Sequence, residues 1–202
     1  MKKALIIFVR NPKLGNVKTR LAKTIGDAYA LQVYKILITH TVAVTSALDV
    51  AKFVYYADHV QNDDLWSPHT YYKKEQQGND LGERMKNAFQ ELFDSGFDRV
   101  VIIGSDSYDI THQHIESAFD ALNESDAVIG PAKDGGYYLL GLKKMVPEIF
   151  ENKEWSSSSV LEKTLLDLKN HAVVLLEPLN DIDTYEDLLN YNIFEPYIKT
   201  LS

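Results

Sequence analysis

The chain has 202 residues, 45% hydrophobic and 25% charged, the size and balance of one globular domain spanning 1–202, which excludes disordered, collagenous and coiled-coil classes as overall descriptions. A net charge of −8 argues against general nucleic-acid binding, because an acidic surface repels a phosphate backbone. With no cysteine there is no disulfide, no thiolate nucleophile and no cysteine-bearing metal site.

The amino terminus, MKKALIIFVRNPK, offers only seven apolar residues before Arg10 and no small-residue cleavage site. A membrane helix needs about 20 apolar residues and a signal peptide a longer apolar core, so a cytoplasmic protein without a membrane span is expected. Ala4–Val9 instead reads as a buried strand, and short runs rich in Val, Ile and Tyr at Phe53–Ala57, Val100–Ile103, Ala127–Ile129, Tyr137–Leu142 and Ala172–Leu176 read the same way. Between them lie helical stripes. Ala30, Leu31, Tyr34, Leu37, Ile38, Thr41, Val42, Thr45 and Leu48 keep three-four spacing after Asp27, and Leu81, Met85, Ala88, Phe89, Leu92 and Phe93 do so between an Asp80/Glu83 capping pair and Gly96. Ile115, Ala118, Phe119 and Leu122 follow Thr111 as N-cap, and Val160, Leu161, Thr164, Leu165 and Leu168 follow a serine run. Strands alternating with helices predict a Rossmann-like three-layer α/β/α sandwich on a mostly parallel sheet, with ligands at the carboxyl ends of the strands. No linker and no internal repeat divides the chain.

The loop after the first strand gathers Arg10, Lys13, Lys18 and Arg20 in an otherwise acidic protein, a concentration that suits a bound phosphate or else a solvated basic loop. It is not a P-loop, since Val17 stands before Lys18 where a Walker motif needs glycine. RVVIIGSDSYDIT places Asp106 and Asp109 just past a strand end, as a hard cation that also holds diphosphate oxygens requires; Asp109 equally suits a helix cap. Asp134, Gly135 and Gly136 form a turn directly before a strand, through which a ligand could approach the backbone closely. Gly82 in the first turn of a strong helix is a local inconsistency of the kind found at functional sites. NDIDTYEDLLNY sets Asp181 and Asp183 before a short helix, where Thr184 or Asp183 suits an N-cap or else a ligand role. His112 and His114 face different ways and make no metal pair, the serine run lacks a nucleophile elbow, and of Tyr137 and Tyr138 at most one lines a pocket.

The ordered set LIIFVRNP..G.VKTRLA, QQGNDLGERM..AF, VVIIGSDS.DIT..HI, VIGPAKDGGYYLLGL, W-S..V and D-I-D-T..DL resembles a bacterial family of GT-A-like glycosyltransferases, known as a glycosyltransferase-A domain or arsenosugar-type family, within the nucleotide-diphospho-sugar transferase superfamily. More distantly it is similar to the molybdenum cofactor and phospholactate guanylyltransferases. The resemblance runs from Ala4 to about Leu189 and implies a GT-A fold. It places Arg10, Lys18 and Arg20 at the phosphates, Gly78, Asp80, Leu81 and Gly82 at the nucleobase and ribose, Asp106 and Asp183 at Mg2+ or Mn2+, and Asp134, Gly135, Gly136 and Tyr137 at the acceptor. Two departures stand out: Tyr108 replaces the proline that usually follows GSDS, and only Gly15 stands where sugar nucleotidyltransferases carry a glycine-rich loop ending in arginine.

The implied activity is metal-dependent transfer from a nucleotide-sugar to a small-molecule acceptor, with Asp106 and Asp134 as the catalytic carboxylates and Asp134 orienting or deprotonating the acceptor hydroxyl. Nucleotidyl transfer with release of pyrophosphate, or nucleotide binding without turnover, are the alternatives. A monomer or homodimer is expected, with the apolar tail of Phe194, Tyr197, Ile198 and Leu201 docked on its own core.

Overall fold

The computed structural model describes residues 1–198, so that Leu201 lies outside the described residues. Seven strands, β1 Lys3–Val9, β2 Ala51–Tyr56, β3 Tyr72–Glu75, β4 Arg99–Ile103, β5 Ala127–Pro131, β6 Tyr137–Leu142 and β7 Val173–Leu175, form one sheet in the order β3-β2-β1-β4-β6-β5-β7. All neighbours pair in parallel except β6, which runs antiparallel between β4 and β5. The helices are α1 Thr19–Ile25, α2 Asp27–Thr45, α3 Leu81–Asp94, α4 His112–Ala121, α5 Val160–Asp167, α6 Tyr185–Leu188 and α7 Glu195–Ile198. No helix among the described residues is long and apolar enough to cross a membrane.

Alternation along β1 divides the core. Leu5, Ile7 and Val9 face Tyr34 and Ile38 of α2 and Ile115 and Phe119 of α4, while Ala4 and Ile6 face Met85 and Phe89 of α3 and Ile149 and Phe150 of a 3-10 turn. The three-layer α/β/α arrangement follows, because a parallel sheet buries both faces. A third apolar cluster lies on the far side of α2, where Leu21 and Ile25 of α1 meet Ile182, Leu188 and Phe194; Tyr197 and Ile198 pack against it, so the described part of the carboxyl-terminal segment docks on its own chain.

Two elements escape the hydrophobic pattern. The edge strand β3 reads YKKE with no fully buried residue, and α1 lies within the basic stretch that reads as loop. The caps expected at α3 are present: the Glu83 amide donates to Asp80 at 2.8 Å, although the Glu83 carboxylate reaches back to Asn79 instead of Asp80. Gly82 is a packing glycine. A Cβ there would lie 2.4 Å from the Phe150 carbonyl oxygen and 2.5 Å from the Trp155 ring, so the helix start admits no side chain. Helix propensity alone predicts that Gly82→Ala gains up to about 1 kcal/mol. The packing predicts a loss of about 1–3 kcal/mol instead, read as a lower urea midpoint; an unchanged or higher midpoint would contradict the close approach.

Candidate functional site

The carboxyl ends of β1, β4 and β5, the start of the antiparallel β6 and the segment following β7 all reach the same edge of the sheet. Three connections from that edge are tied together by their backbones. Asp181 bridges Ser107 in antiparallel fashion, the Ile182 amide donates to the Asp106 carbonyl at 3.0 Å, and the Ser107 hydroxyl donates to the Asn180 carbonyl. Leu179 bridges Ala132 in parallel, and the Lys133 amide donates to its carbonyl. Extended backbone at 181–183 turns alternate residues to opposite sides. Ile182 is fully buried in the cluster beneath α1, while Asp181 and Asp183 remain partly exposed.

Into this junction comes Lys18. Its backbone is left-handed at φ 48°, an uncommon conformation for a residue other than glycine, and its carbonyl accepts the first α1 hydrogen bond, from Ala22. The Lys18 ammonium lies 2.5 Å from Asp106 Oδ1 and 2.9 Å from Asp183 Oδ1, with 4% of the side chain exposed. Burial alone would lower its pKa; the two carboxylates outweigh burial and hold it well above the usual lysine range. Arg20 stands 3.8 Å from Asp183 Oδ2 on the solvent side. Asp181 has no hydrogen-bonding or ion-pairing partner for its carboxyl among the described residues. Burial, with Asp106, Asp134 and Asp183 close by, pushes its pKa up to about 7 against the pull of Lys18.

The surrounding shell is fixed. Asp187 accepts from the amides of Asp183 and Thr184 at 3.0 and 2.8 Å, and these bonds hold its carboxyl below the ordinary range although burial raises it. Tyr34 of α2 donates to the Arg10 carbonyl, accepts from the Arg10 amide and meets the Ser105 hydroxyl at 3.1 Å, joining the ends of β1 and β4. Tyr108 is held by rings: His40 at 4.6 Å and Tyr191 and Phe194 each at 5.6 Å. Aromatic packing thus anchors the residue that stands two positions after Asp106. Asp109 neither caps α4 nor joins the cluster; it accepts from the Tyr191 hydroxyl at 2.7 Å, and Thr111 with His114 forms the cap.

The expected residues thus separate into groups. Lys18, Arg20, Asp106 and Asp183 converge, with Asp134 near enough to raise Asp181. Asp134 accepts from the Gly136 amide through Oδ1 at 2.8 Å, which leaves Oδ2 unpartnered, and Gly135, at φ 92°, lies so close to Ser158 that a Cβ would come within 2.2 Å of its carbonyl oxygen. Arg10 is exposed at the end of β1, without a carboxylate partner among the described residues. The segment Gly78–Gly82 follows β3, and there Gly78 carries φ 140° with its carbonyl bound by Arg84, Asp80 caps α3 and Leu81 is exposed. Gln76 ties this segment to the carbonyls of Tyr55 and Val9. Tyr137 is half-buried and packs with the core on the α3 and α5 side, its hydroxyl buried and without a hydrogen-bond partner among the described residues. Tyr138 fills the opposite face beneath Gly130. Asp181 was legible only as a neighbour of Asp183; the D-I-D alternation was the signal that both project to one side. Among the described residues no three His, Cys, Asp or Glu side chains form a set that could hold a metal ion. A cavity of about 540 Å3 also opens between α2 and the 61–66 loop, lined by Arg10, Ile38, Tyr56 and Trp66 among others.

Residues 38–157, more than half of the chain, match the model of DUF2064, described as an uncharacterized protein conserved in bacteria, and the chain belongs to that family. A crystal structure from Desulfovibrio desulfuricans G20, named provisionally as a nucleotide-diphospho-sugar transferase, is 35% identical, with 96% of this chain and 89% of that one covered and a TM-score of 0.87. The 4-diphosphocytidyl-2C-methyl-D-erythritol synthase of Anaerococcus prevotii (12% identity, 96% and 95% covered, TM-score 0.58) and Rv0371c of Mycobacterium tuberculosis in complex with manganese (11%, 94% and 97%, 0.55) share the fold. No curated protein matches the chain.

Asp181 yields a pH prediction. Its folded pKa of about 7 exceeds the unfolded value of about 3.9, so the folded state holds a proton that the unfolded state releases, and stability falls as pH rises from about 4 through 7. Asp181→Asn therefore raises the melting temperature of the metal-free protein by a few degrees at pH 8 and by progressively less towards pH 5. An equal shift at both pH values would contradict the assignment.

Proposed function

We propose that this member of the DUF2064 family is a metal-dependent transferase of the GT-A type that moves a sugar from a nucleoside-diphosphate donor to the hydroxyl of a small-molecule acceptor. The observation that carries the reading is the convergence of Lys18 and Arg20 with Asp106 and Asp183 at the carboxyl edge of the sheet, where open α/β sheets receive their ligands. The 35% identical relative is named for the same donor class, and the finer arsenosugar-type resemblance belongs to the same proposal.

In the reaction the bond between the anomeric carbon and the diphosphate oxygen breaks, a bond to the acceptor oxygen forms, and the acceptor proton leaves. Negative charge grows on the diphosphate while the sugar becomes oxocarbenium-like. Lys18 and Arg20 meet the diphosphate charge as preorganised cations, and Arg10 at the end of β1 adds a third. Asp134 Oδ2 is the free carboxylate oxygen beside the cluster that can orient the acceptor hydroxyl and accept its proton. Gly136, whose Cβ position only the Asp134 carboxylate adjoins, leaves that approach open, whereas Gly135 packs on the Ser158 backbone and so fixes the turn that carries Asp134. The segment Gly78–Gly82 accounts for the nucleoside through its turn and backbone, since the Asp80 carboxylate is committed to its cap. Mg2+ or Mn2+ fits the donor set, because such hard cations keep several waters and use one or two protein carboxylates together with phosphate oxygens. Asp106 and Asp183 already close on a cation, the Lys18 ammonium. A bound divalent ion would supply further charge neutralisation at the leaving diphosphate.

A panel of nucleoside di- and triphosphates and nucleotide-sugars, each with and without Mg2+ or Mn2+, tests this reading by thermal stabilisation, since a ligand at 100 times its dissociation constant adds about 2.7 kcal/mol. A metal-dependent shift with a nucleotide-sugar, lost in Asp106→Ala, and release of nucleoside diphosphate in turnover are expected. A shift only with triphosphates, with pyrophosphate as product, would replace glycosyl by nucleotidyl transfer. Binding that persists without metal and in Asp106→Ala would leave a nucleotide-binding protein.

A further inference from the structure

We propose that Lys18 is a resident counter-cation that competes with divalent metal for the Asp106–Asp183 pair, so that the free protein holds these carboxylates closed to Mg2+ or Mn2+. The inference rests on the reading of that pair as the cation-binding carboxylates and adds how access to it is controlled.

The ammonium is within 2.5 and 2.9 Å of one oxygen of each carboxylate, and 4% of the lysine is exposed. The two aspartates are themselves 48% and 41% exposed, so solvent and ions reach them, while the Oδ1 of each is taken by the lysine. An ammonium and a divalent ion cannot share that position, because they repel and need the same lone pairs. The lysine is also not free to swing away through its backbone. Val17 before it is buried, its carbonyl starts α1, and the left-handed conformation at position 18 aims the side chain from the first residue outside the helix. Only the flexible stem can move, and an anion alongside gives the ammonium a reason to turn. Lysine serves as a mobile point charge for phosphate. Arg20, 3.8 Å from Asp183 and largely exposed, is the second cation that a diphosphate would meet. Metal would therefore enter together with a phosphate-bearing ligand, not ahead of it. Charge explains why the device is needed: Asp106 and Asp183 share one cation at an edge where Asp134 and Asp181 also lie, and an uncompensated pair would attract any abundant divalent ion.

The test is calorimetric titration of Mn2+ alone, without nucleotide, into the full chain. Wild type is expected to bind weakly, with a dissociation constant in the millimolar range, and Lys18→Gln at least tenfold more tightly. Lys18→Arg retains the charge and is expected to stay as weak as wild type, and Lys18→Gln combined with Asp183→Asn to lose the gain. Lys18→Asn, suited to a left-handed backbone, repeats the neutral arm should the glutamine variant fold poorly. Equal Mn2+ affinity in wild type and both neutral variants would overturn the proposal, as would a gain that survives Asp183→Asn. Because no nucleotide is present, this result is independent of the donor panel: a neutral-variant gain with no nucleotide response would contradict the transferase reading alone, and a nucleotide response without the gain would contradict this inference alone.

Discussion

The Lys18 ammonium, nearly sealed from solvent and gripped by two carboxylates, is the interaction on which the edge of this fold depends. It joins chain segments 88 and 165 residues away, from the ends of three different strands. The aspartates sit where they do because backbone pairing of Asp106 and Ser107 with Asp181 and Ile182 fixes them. The left-handed residue at position 18 then delivers a cation to the middle. Removing the charge would leave two half-exposed carboxylates side by side. Solvent would soften that repulsion, so the cost falls on the arrangement of the edge more than on the fold.

Everything nearby serves to hold this edge still. Tyr34 locks the end of β1 to that of β4, Tyr108 is enclosed by rings, and Asp187 collects two amides under the turn that carries Asp183. On the other face the 155–158 segment packs against both Gly82 at the start of α3 and Gly135 beside Asp134. One short strap thus links the start of α3 to the turn beside Asp134, and at both glycines it leaves no room for a Cβ, with the Phe150 carbonyl closing the space at Gly82 as well. Rigid surroundings and two half-exposed carboxylates suit a site whose work is electrostatic, where charge must be in place before it develops on the ligand.

Much of this was legible in the residues. The buried strands declare themselves by apolar runs, α2, α3 and α4 by three-four spacing and caps, and Lys18, Arg20, Asp106 and Asp183 by position after strands. The strand β3 was not legible, because an edge strand of Tyr-Lys-Lys-Glu carries no core signal. Nor was α1, seven residues whose apolar side chains, Leu21 and Ile25, are buried against α2 and the carboxyl-terminal segment and are outnumbered by Lys, Arg and Thr. Gly82 read in the sequence only as a helix inconsistency of the kind found at functional sites, and its packing against the Phe150 carbonyl and the Trp155 ring, 68 and 73 residues away, carries no sequence signal. Strand alternation correctly separates Tyr137 and Tyr138 onto the two faces of the strand, with Tyr138 in the core and its hydroxyl on the Glu177 carbonyl, and Tyr137 half-buried on the other face.

The account's central claim is that a diphosphate and its cation bind at the Lys18 junction. A crystal structure with a nucleoside diphosphate and Mn2+, phased to show the anomalous signal of the metal, tests it directly. The account predicts a manganese peak between Asp106 and Asp183, with diphosphate oxygens in hydrogen-bonding reach of Lys18 and Arg20. Diphosphate density in the cavity beside Trp66 instead, with Lys18 still clasped by both aspartates and no metal peak between them, would contradict it.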